Sequence, residues 1–285
     1  MALQVCKDID SIRQWVDKWR SNGETVGFVP TMGNLHAGHL HLVEQAQKRT
    51  DSVVVSIFVN PLQFGPGEDF NAYPRTVDKD RQKLEAFGVD LLFLPTNASV
   101  FSNGASTTVA VGDLAGRHCG RSRPGHFSGV ATIVCKLLNI VQPNQLFLGE
   151  KDFQQLLIIR KMISELNFPV QVKAIPTVRE SDGLALSSRN SYLNALERQS
   201  APLLYRSLCQ AKDQLKNGRR DWAGIEKEQI ETLEKAGFTV DFFSICSVED
   251  LLPAANEDAS WVILAAVMLG QTRLIDNIRV MRSEF

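Results

Sequence analysis

The run "VVVSIFVN", residues 53 to 60, limits the fold more than any other stretch of the chain. It is a near-continuous row of β-branched and apolar residues without polar alternation, so the strand it forms must be covered on both faces. Strands of that kind belong to parallel sheets, which need helical crossovers between them. The sequence supplies these in turn. "TVGFVP" (25 to 30) leads into a segment that sets Leu42, Val43 and Ala46 on one helical face. "VDLLFLP" (89 to 95) follows a charged helical segment at about 76 to 87. Val130, Ile133, Val134, Leu137, Leu138 and Val141 recur at the spacing of an amphipathic helix. "NQLFLGE" then reads as a strand, 152 to 167 as a helix closing at "NFPV", and "VQVKAIPTV" as a further strand. This strand–helix–strand alternation predicts an α/β fold with a parallel sheet.

The last third is patterned differently. Residues 195 to 236 are rich in Lys, Arg, Gln and Leu and predict two helices. "FTVDFFSICSVEDLLP", "WVILAAVML" and "RLIDNIRV" predict the strands of a smaller α+β unit. The loop "RESDGLALSSRNSYLN" (179 to 194) is the expected boundary, with Asp182-Gly183 as a turn and Asn194 as a helix cap. The expected division is 1–180 and 181–285.

Composition narrows the function classes. A chain of 285 residues holds one large or two modest cores. A formal net charge of −1 gives no polyanion-binding surface, so nucleic acid is not an expected partner. Five scattered cysteines (Cys6, Cys119, Cys135, Cys209, Cys246) without Cys-x-x-Cys spacing argue for reduced thiols, not a disulfide framework or a zinc ribbon. The N-terminal "MALQVCKDIDSIRQW" has no signal-peptide core. The longest apolar run, "WVILAAVML", is less than half a membrane span and reads as a buried strand. These features predict a cytoplasmic protein with no membrane partner.

Chemistry concentrates first in "FVPTMGNLHAGHLHLVEQAQ", residues 28 to 47, which holds three of the chain's five histidines. Three readings compete. In the plainest, Gly33 and Gly38 allow a strand-to-helix turn and the histidines cap it. In the second, His36 and His39, three apart, bind a metal. That pair lacks the Glu of a metalloprotease motif, and no cysteine or acidic cluster adjoins it. In the third the segment binds a nucleotide. "GNLHAGHL" has Walker A-like glycine spacing but carries His39 and Leu40 where Lys and Ser or Thr belong, and no Gly-x-Gly-x-x-Gly occurs anywhere. A glycine turn before a helix still offers backbone N–H groups and a helix dipole to an anion. Imidazoles there can donate hydrogen bonds to phosphate, and among nucleotide uses they best serve attack at the α-phosphate.

Three further runs join it. "SIFVNPLQF" places Asn60 and Gln63 beyond the C-terminal end of the buried strand, where ligands of open α/β sheets bind. "FLGEKDFQQLLIIRK" sets Lys151 and Asp152 at a helix start, with Gln154 and Gln155 in its first turn. A lysine at that end of a helix conflicts with the dipole unless an anion joins it. "GLALSSRN" puts two hydroxyls before Arg189, a set suited to polyphosphate. Taken alone, the first of these also reads as an Asn-Pro turn and the last as a solvated linker.

Together and in this order, "PTMGNLHAGHL", "VSIFVNPLQF", "YPRT", "SRPGHFSGVATIV", "GEKDFQQL" and "DGLALSSRNSYL" closely resemble the pantothenate synthetase (pantoate–β-alanine ligase) family. The matching pieces span residues 30 to 192, and "LGQTRLIDN" is similar to the family's closing strand. The resemblance implies a Rossmann-like nucleotidyltransferase-type domain with a smaller C-terminal α+β lid domain. It implies ATP-dependent condensation of pantoate with β-alanine through pantoyl adenylate, giving pantothenate, AMP and pyrophosphate. Met32, Gly33, Asn34, Leu35, His36, Ala37, Gly38 and His39 would contact ATP, with His39 as acid or charge donor and His36 supporting it. Gly149, Glu150, Lys151, Asp152 and Val178 would surround the nucleotide, Lys151 on phosphate. Leu186, Ser187, Ser188 and Arg189 would close over the phosphates. Gln63 and Gln155 would hold pantoate, Gln63 would also line the β-alanine site, and Asn60 and His126 are further pocket candidates. Magnesium is expected with ATP, its ligands unassigned apart from Asp80, and a homodimer is expected. The same motifs resemble the wider nucleotidyltransferase and class I aminoacyl-tRNA synthetase superfamily. An adenylyl- or cytidylyltransferase, or a non-catalytic nucleotide sensor, therefore stands as an alternative.

Overall fold

The computed structural model describes residues 3–101, 104 and 106–281. Nine strands and ten helices are found among them. The strands are β1 (Gln4–Cys6), β2 (Val26–Thr31), β3 (Ser52–Ile57), β4 (Leu91–Phe93), β5 (Gln145–Gly149), β6 (Gln171–Ile175), β7 (Thr239–Ser247), β8 (Ser260–Leu269) and β9 (Thr272–Met281). The helices are α1 (Ile9–Ser21), α2 (Ala37–Gln47), α3 (Val77–Ala86), α4 (Asn97–Val100), α5 (Cys119–Ser122), α6 (His126–Val141), α7 (Phe153–Glu165), α8 (Ala195–Ser200), α9 (Leu203–Lys216) and α10 (Trp222–Lys235).

The first six strands form one parallel sheet in the order β1-β4-β3-β2-β5-β6. The β-branched run supplies β3, and every residue of that strand is buried. Val54 packs with Phe28, Leu146 and the apolar faces of α1, α6 and α7. Val53 and Val55 face the other way, toward Val43 and Ala46 of α2 and Leu84 of α3. Two-sided cover is what the missing polar alternation demanded. From β2 the chain moves outward to β3 on one side and later returns to β5 on the other. The topological switch point therefore lies between β2 and β5, and a crevice opens at their C-terminal ends.

Strands β7, β8 and β9 form a separate antiparallel sheet. One face packs Phe243, Ile245, Trp261 and Ile263 against α9 and α10. The other turns Phe242, Cys246, Val262 and Leu264 into the main core. Strand β8 is thus covered on both sides, which explains its unbroken apolar sequence. The segment 195 to 236 holds three helices where two are expected. Asn194 caps α8 through a capping box with Glu197, and Pro202, which has no N–H to continue the ladder, separates α8 from α9. No helix among the described residues is long and apolar enough to cross a membrane.

Two glycines set the distances at the crevice. Gly129 on α6 lies so close to the 3₁₀ turn Pro61–Gln63 that an added Cβ would sit 2.0 Å from the Leu62 carbonyl oxygen. Gly33, after β2, has φ +83°, and an added Cβ there would meet Ile57 at 3.0 Å. Only glycine takes that backbone conformation without cost.

Candidate active site

A cavity of about 680 Å³ occupies the crevice. The ends of β2, β3 and β5 open into it, and the segment 186 to 189 and strand β9 close its far side. Met32, Gly38, His36, His39, Asn60, Gln63, His126, Gly149, Lys151, Asp152, Gln155, Val178 and Leu186 to Arg189 all line it. Four runs, the first and last joined by a hydrogen bond between residues 154 apart in sequence, thus meet at one place. Gly33, Asn34, Leu35, Ala37 and Glu150 do not line it: Leu35 is a core residue at 2% exposure, and the Glu150 carboxylate reaches Arg279 at 3.6 Å.

The loop entering α2 is built differently from a phosphate-binding loop. Asp80 is fully buried on α3 and takes the Asn34 N–H on one oxygen and the Leu35 N–H on the other, both at 2.8 Å. Thr76 adds its hydroxyl at 3.0 Å. Thr31 accepts the Gly33 N–H at 3.1 Å. The Gly33, Asn34 and Leu35 N–H groups, expected to face an anion, are therefore already committed. The same contacts correct the assignment of Asp80 to magnesium, because both its oxygens serve as struts inside the protein.

What faces the cavity is imidazole. His36 is the N-cap of α2, and its Nδ1 accepts the Gly38 N–H at 3.2 Å. His39 reaches back so that its Nδ1 accepts the His36 N–H at 3.4 Å, closing a capping box. A nitrogen that accepts from an amide carries no proton, so this network assigns the hydrogen of each ring to Nε2. The rings stack with centroids 4.0 Å apart. Burial, with the Lys151 ammonium adding to it, lowers the His36 pKa to about 4. Burial, with His36 and Lys151 adding to it, lowers that of His39 to about 3. Both are neutral near pH 7, so they offer directed N–H donors and no fixed positive charge. The two rings thus cap α2 through Nδ1 while they line the cavity.

Charge comes from elsewhere. Lys151 is the middle residue of the 3₁₀ turn Glu150–Asp152 before α7. Arg189 faces it from the closing segment, held by Asp69 through Nε at 3.1 Å and Nη2 at 2.9 Å. Ser188 hydrogen-bonds the Asn34 carbonyl at 3.2 Å, tying that segment down onto the loop before α2.

Gln63 is held from three sides. Asn60 gives one amide hydrogen to Gln63 Oε1 and the other to the Gly129 carbonyl, both at 3.1 Å. Its own oxygen takes the Leu62 N–H at 3.2 Å. Asn60 is therefore saturated, and Gln63 is turned so that Nε2 donates toward Met32 Sδ and the cavity. His126 Nδ1 donates to the Gln63 carbonyl at 2.7 Å, while Arg123 Nη1 donates to His126 Nε2 at 2.9 Å. Glu68 fixes Arg123 in a two-pronged pair at 2.7 and 2.6 Å. Burial, then Arg123, lowers the His126 pKa to about 4. Asn60 and His126 act on Gln63, and Arg123 and Glu68, which sequence reasoning passed over, stand behind them. "SRPGHF" carried the signal for Arg123. Glu68 had none, because its partner lies 55 residues away. In the first turn of α7, Gln154 and Gln155 both line the cavity, and Gln154 spends its amide N–H groups on the carbonyls of Leu114 and Arg117 at 2.9 and 2.7 Å.

Among the described residues no group of three or more His, Cys, Asp or Glu side chains is placed to share a metal ion. The arrangement can instead seat a polyanion between Lys151 and Arg189, present two neutral N–H donors to it, and hold a small polar acid on Gln63 and Gln155.

Comparison with known proteins agrees with this geometry. Residues 4–279 match the pantoate-beta-alanine ligase family. The chain is 52% identical to the pantothenate synthetase of Methylococcus capsulatus, covering 92% of each chain. It is 51% identical to that of Stutzerimonas stutzeri, covering 98% of each. The crystal structure of pantothenate synthetase from Thermus thermophilus superposes with a TM-score of 0.91 at 45% identity, over 96% of this chain and 98% of that one. A pantoate-beta-alanine ligase from Francisella tularensis, complexed with beta-gamma ATP and beta-alanine, superposes with a TM-score of 0.81 at 34% identity, over 97% of each. With a match that begins in the first strand and ends in the last, this chain belongs to the pantoate–β-alanine ligase family.

Proposed function

We infer that the chain joins pantoate to β-alanine at the expense of ATP, with pantoyl adenylate as intermediate. The observation that carries this is the pair of Nε2–H imidazoles beside Lys151 in a cavity that also contains Gln63 and Gln155. A pantoate carboxylate oxygen attacks the α-phosphorus of ATP, and the bond to pyrophosphate breaks. The amine of β-alanine then attacks the carbonyl carbon of the mixed anhydride. AMP leaves with the bridging oxygen, and the amine gives up its proton. No protein nucleophile is required.

His39 and His36 donate hydrogen bonds to oxygens of the α-phosphate, where negative charge grows in the transition state. Lys151 and Arg189 neutralise the departing pyrophosphate, and Arg189 exchanges Asp69 for phosphate as it does so. The Gln63 and Gln155 amides fix the carboxylate and hydroxyls of pantoate within reach of phosphorus. Leu186 to Arg189 shield the anhydride from water. ATP enters with magnesium as part of the substrate. Among the described residues no cluster of carboxylates is placed for a resident ion, so phosphate oxygens and water would hold it, and no step runs through it.

The same reading divides the chain into an ATP- and pantoate-binding unit over 1–180 and a C-terminal lid unit over 181–285. It places the enzyme in the cytoplasm as a homodimer, which light scattering checks. The test of function is a coupled assay. ATP and pantoate together should give pyrophosphate, and β-alanine should then yield pantothenate and AMP. ADP and phosphate as products would rule out adenylation. AMP retained on the final product would indicate a nucleotidyltransferase, and binding without turnover a sensor.

A further inference from the structure

The closing motif "LGQTRLIDN", residues 269 to 277, takes no part in the chemistry above, yet its end is wired into the nucleotide segment. Asn277 lies on β9, in the C-terminal sheet, and is 6% exposed. Its side-chain amide donates to the carbonyl oxygens of Glu150 and of Lys151, each at 2.9 Å. A primary amide has two N–H groups, so both are spent on successive peptide units of the turn that carries Lys151. The neighbouring Asp276 takes Arg179 in a two-pronged pair at 2.5 and 2.9 Å. Arg179 in turn holds the Gly183 carbonyl at 3.1 Å, at the root of the segment that ends in Arg189. Asp276 Oδ1 also accepts the Asn277 backbone N–H at 2.8 Å, which ties the Asp276 carboxylate to the backbone that carries Asn277.

We propose that Asn277 is a positioning residue for the adenylation step, aiming Lys151 at the ATP phosphates by clamping its backbone from the second sheet. The proposal rests on the adenylation reading of the site. Lys151 stands at the positive end of a helix, where the dipole pushes an ammonium away. Among the described residues its Nζ has no hydrogen-bonded partner, so backbone anchoring decides where the charge points. The role belongs to the first half-reaction alone, since pyrophosphate has left before β-alanine attacks.

Asn277→Leu removes both donors at nearly constant size. It is compared with the unaltered protein in two assays, pantoate-dependent pyrophosphate release and pantothenate formation from supplied pantoyl adenylate. The variant should raise the KM for ATP and slow pyrophosphate release, each about tenfold or more, with amide formation within about twofold of normal. Equal losses in both steps, or unchanged pyrophosphate release, would overturn the proposal. If circular dichroism shows that Asn277→Leu does not fold, Asn277→Ser, which keeps one donor, is judged by the same outcomes. An unaltered protein that releases no pyrophosphate would overturn the adenylation reading and this proposal with it, whereas the variant results bear on Asn277 alone.

Discussion

His36 and His39 stay neutral in the folded protein because burial disfavours the imidazolium and Lys151 stands beside them. In the unfolded chain each titrates near 6.5. Below that value the unfolded state takes up protons that the folded state refuses until about pH 4 for His36 and about pH 3 for His39. Stability contributed by the neutral rings is therefore complete above pH 6.5 and is lost as pH falls from there toward about 4 for His36 and about 3 for His39. Imidazole nitrogen shifts from NMR should show two neutral Nε2–H rings at pH 6, and a charged ring at that pH would contradict the capping box. His39→Ala should cut turnover about 10²–10⁴-fold in a folded protein, and near-normal turnover would remove its role. Asp80→Ala strands the buried Leu35 N–H and the half-buried Asn34 N–H and should cost about 1–3 kcal/mol of stability for the buried one and less for the other. Its lost activity should not return with added magnesium, and rescue by magnesium would reinstate Asp80 as a metal ligand. At this scale the sequence made residue types and order legible but not partners. Gln154 and Gln155 are adjacent and alike, and only the packing of α7 decides that Gln154 is the one whose amide braces a loop.

The contact between α6 and the 3₁₀ turn Pro61–Gln63 positions Gln63 by backbone proximity, with Asn60 bonded to the Gly129 carbonyl across it. Gly129→Ala inserts a methyl group 2.0 Å from the Leu62 oxygen, so turn and helix must separate. The expected result is a stability loss of about 1–3 kcal/mol by denaturation and a raised KM for pantoate. A normal KM in a normally stable protein would show that Gln63 does not depend on this contact. Periodicity exposed α6 from Val130 on, since Val130, Ile133, Val134, Leu137, Leu138 and Val141 are all buried, but not its first turn at His126. It could not expose β1, because three residues are too few to show an alternation, and β1 is recognised only by its pairing with β4. Nor did it separate α8 from α9, where Pro202 interrupts a composition that continues across it.

Across the whole molecule, two sheets meet at the cavity. The C-terminal ends of the parallel sheet carry His36, His39 and Lys151 into the cavity, and β9 braces the turn bearing Lys151. The parallel sheet was legible because buried strands and amphipathic helices leave periodic traces. The docking of the C-terminal sheet was not, since Asn277 and Lys151 lie 126 residues apart and nothing local records their contact. Lys151→Ala should slow adenylation on the order of 10²-fold or more while sparing amide formation from supplied pantoyl adenylate. Loss confined to the amide step would place Lys151 elsewhere in the mechanism. Bond formation between the pantoate carboxylate and the α-phosphorus is tested most directly by following a heavy-oxygen label. Pantoate labelled in both carboxylate oxygens should deliver one labelled oxygen to AMP and keep the other in the pantothenate amide, as mass spectrometry reads it. AMP free of label would contradict attack at the α-phosphorus.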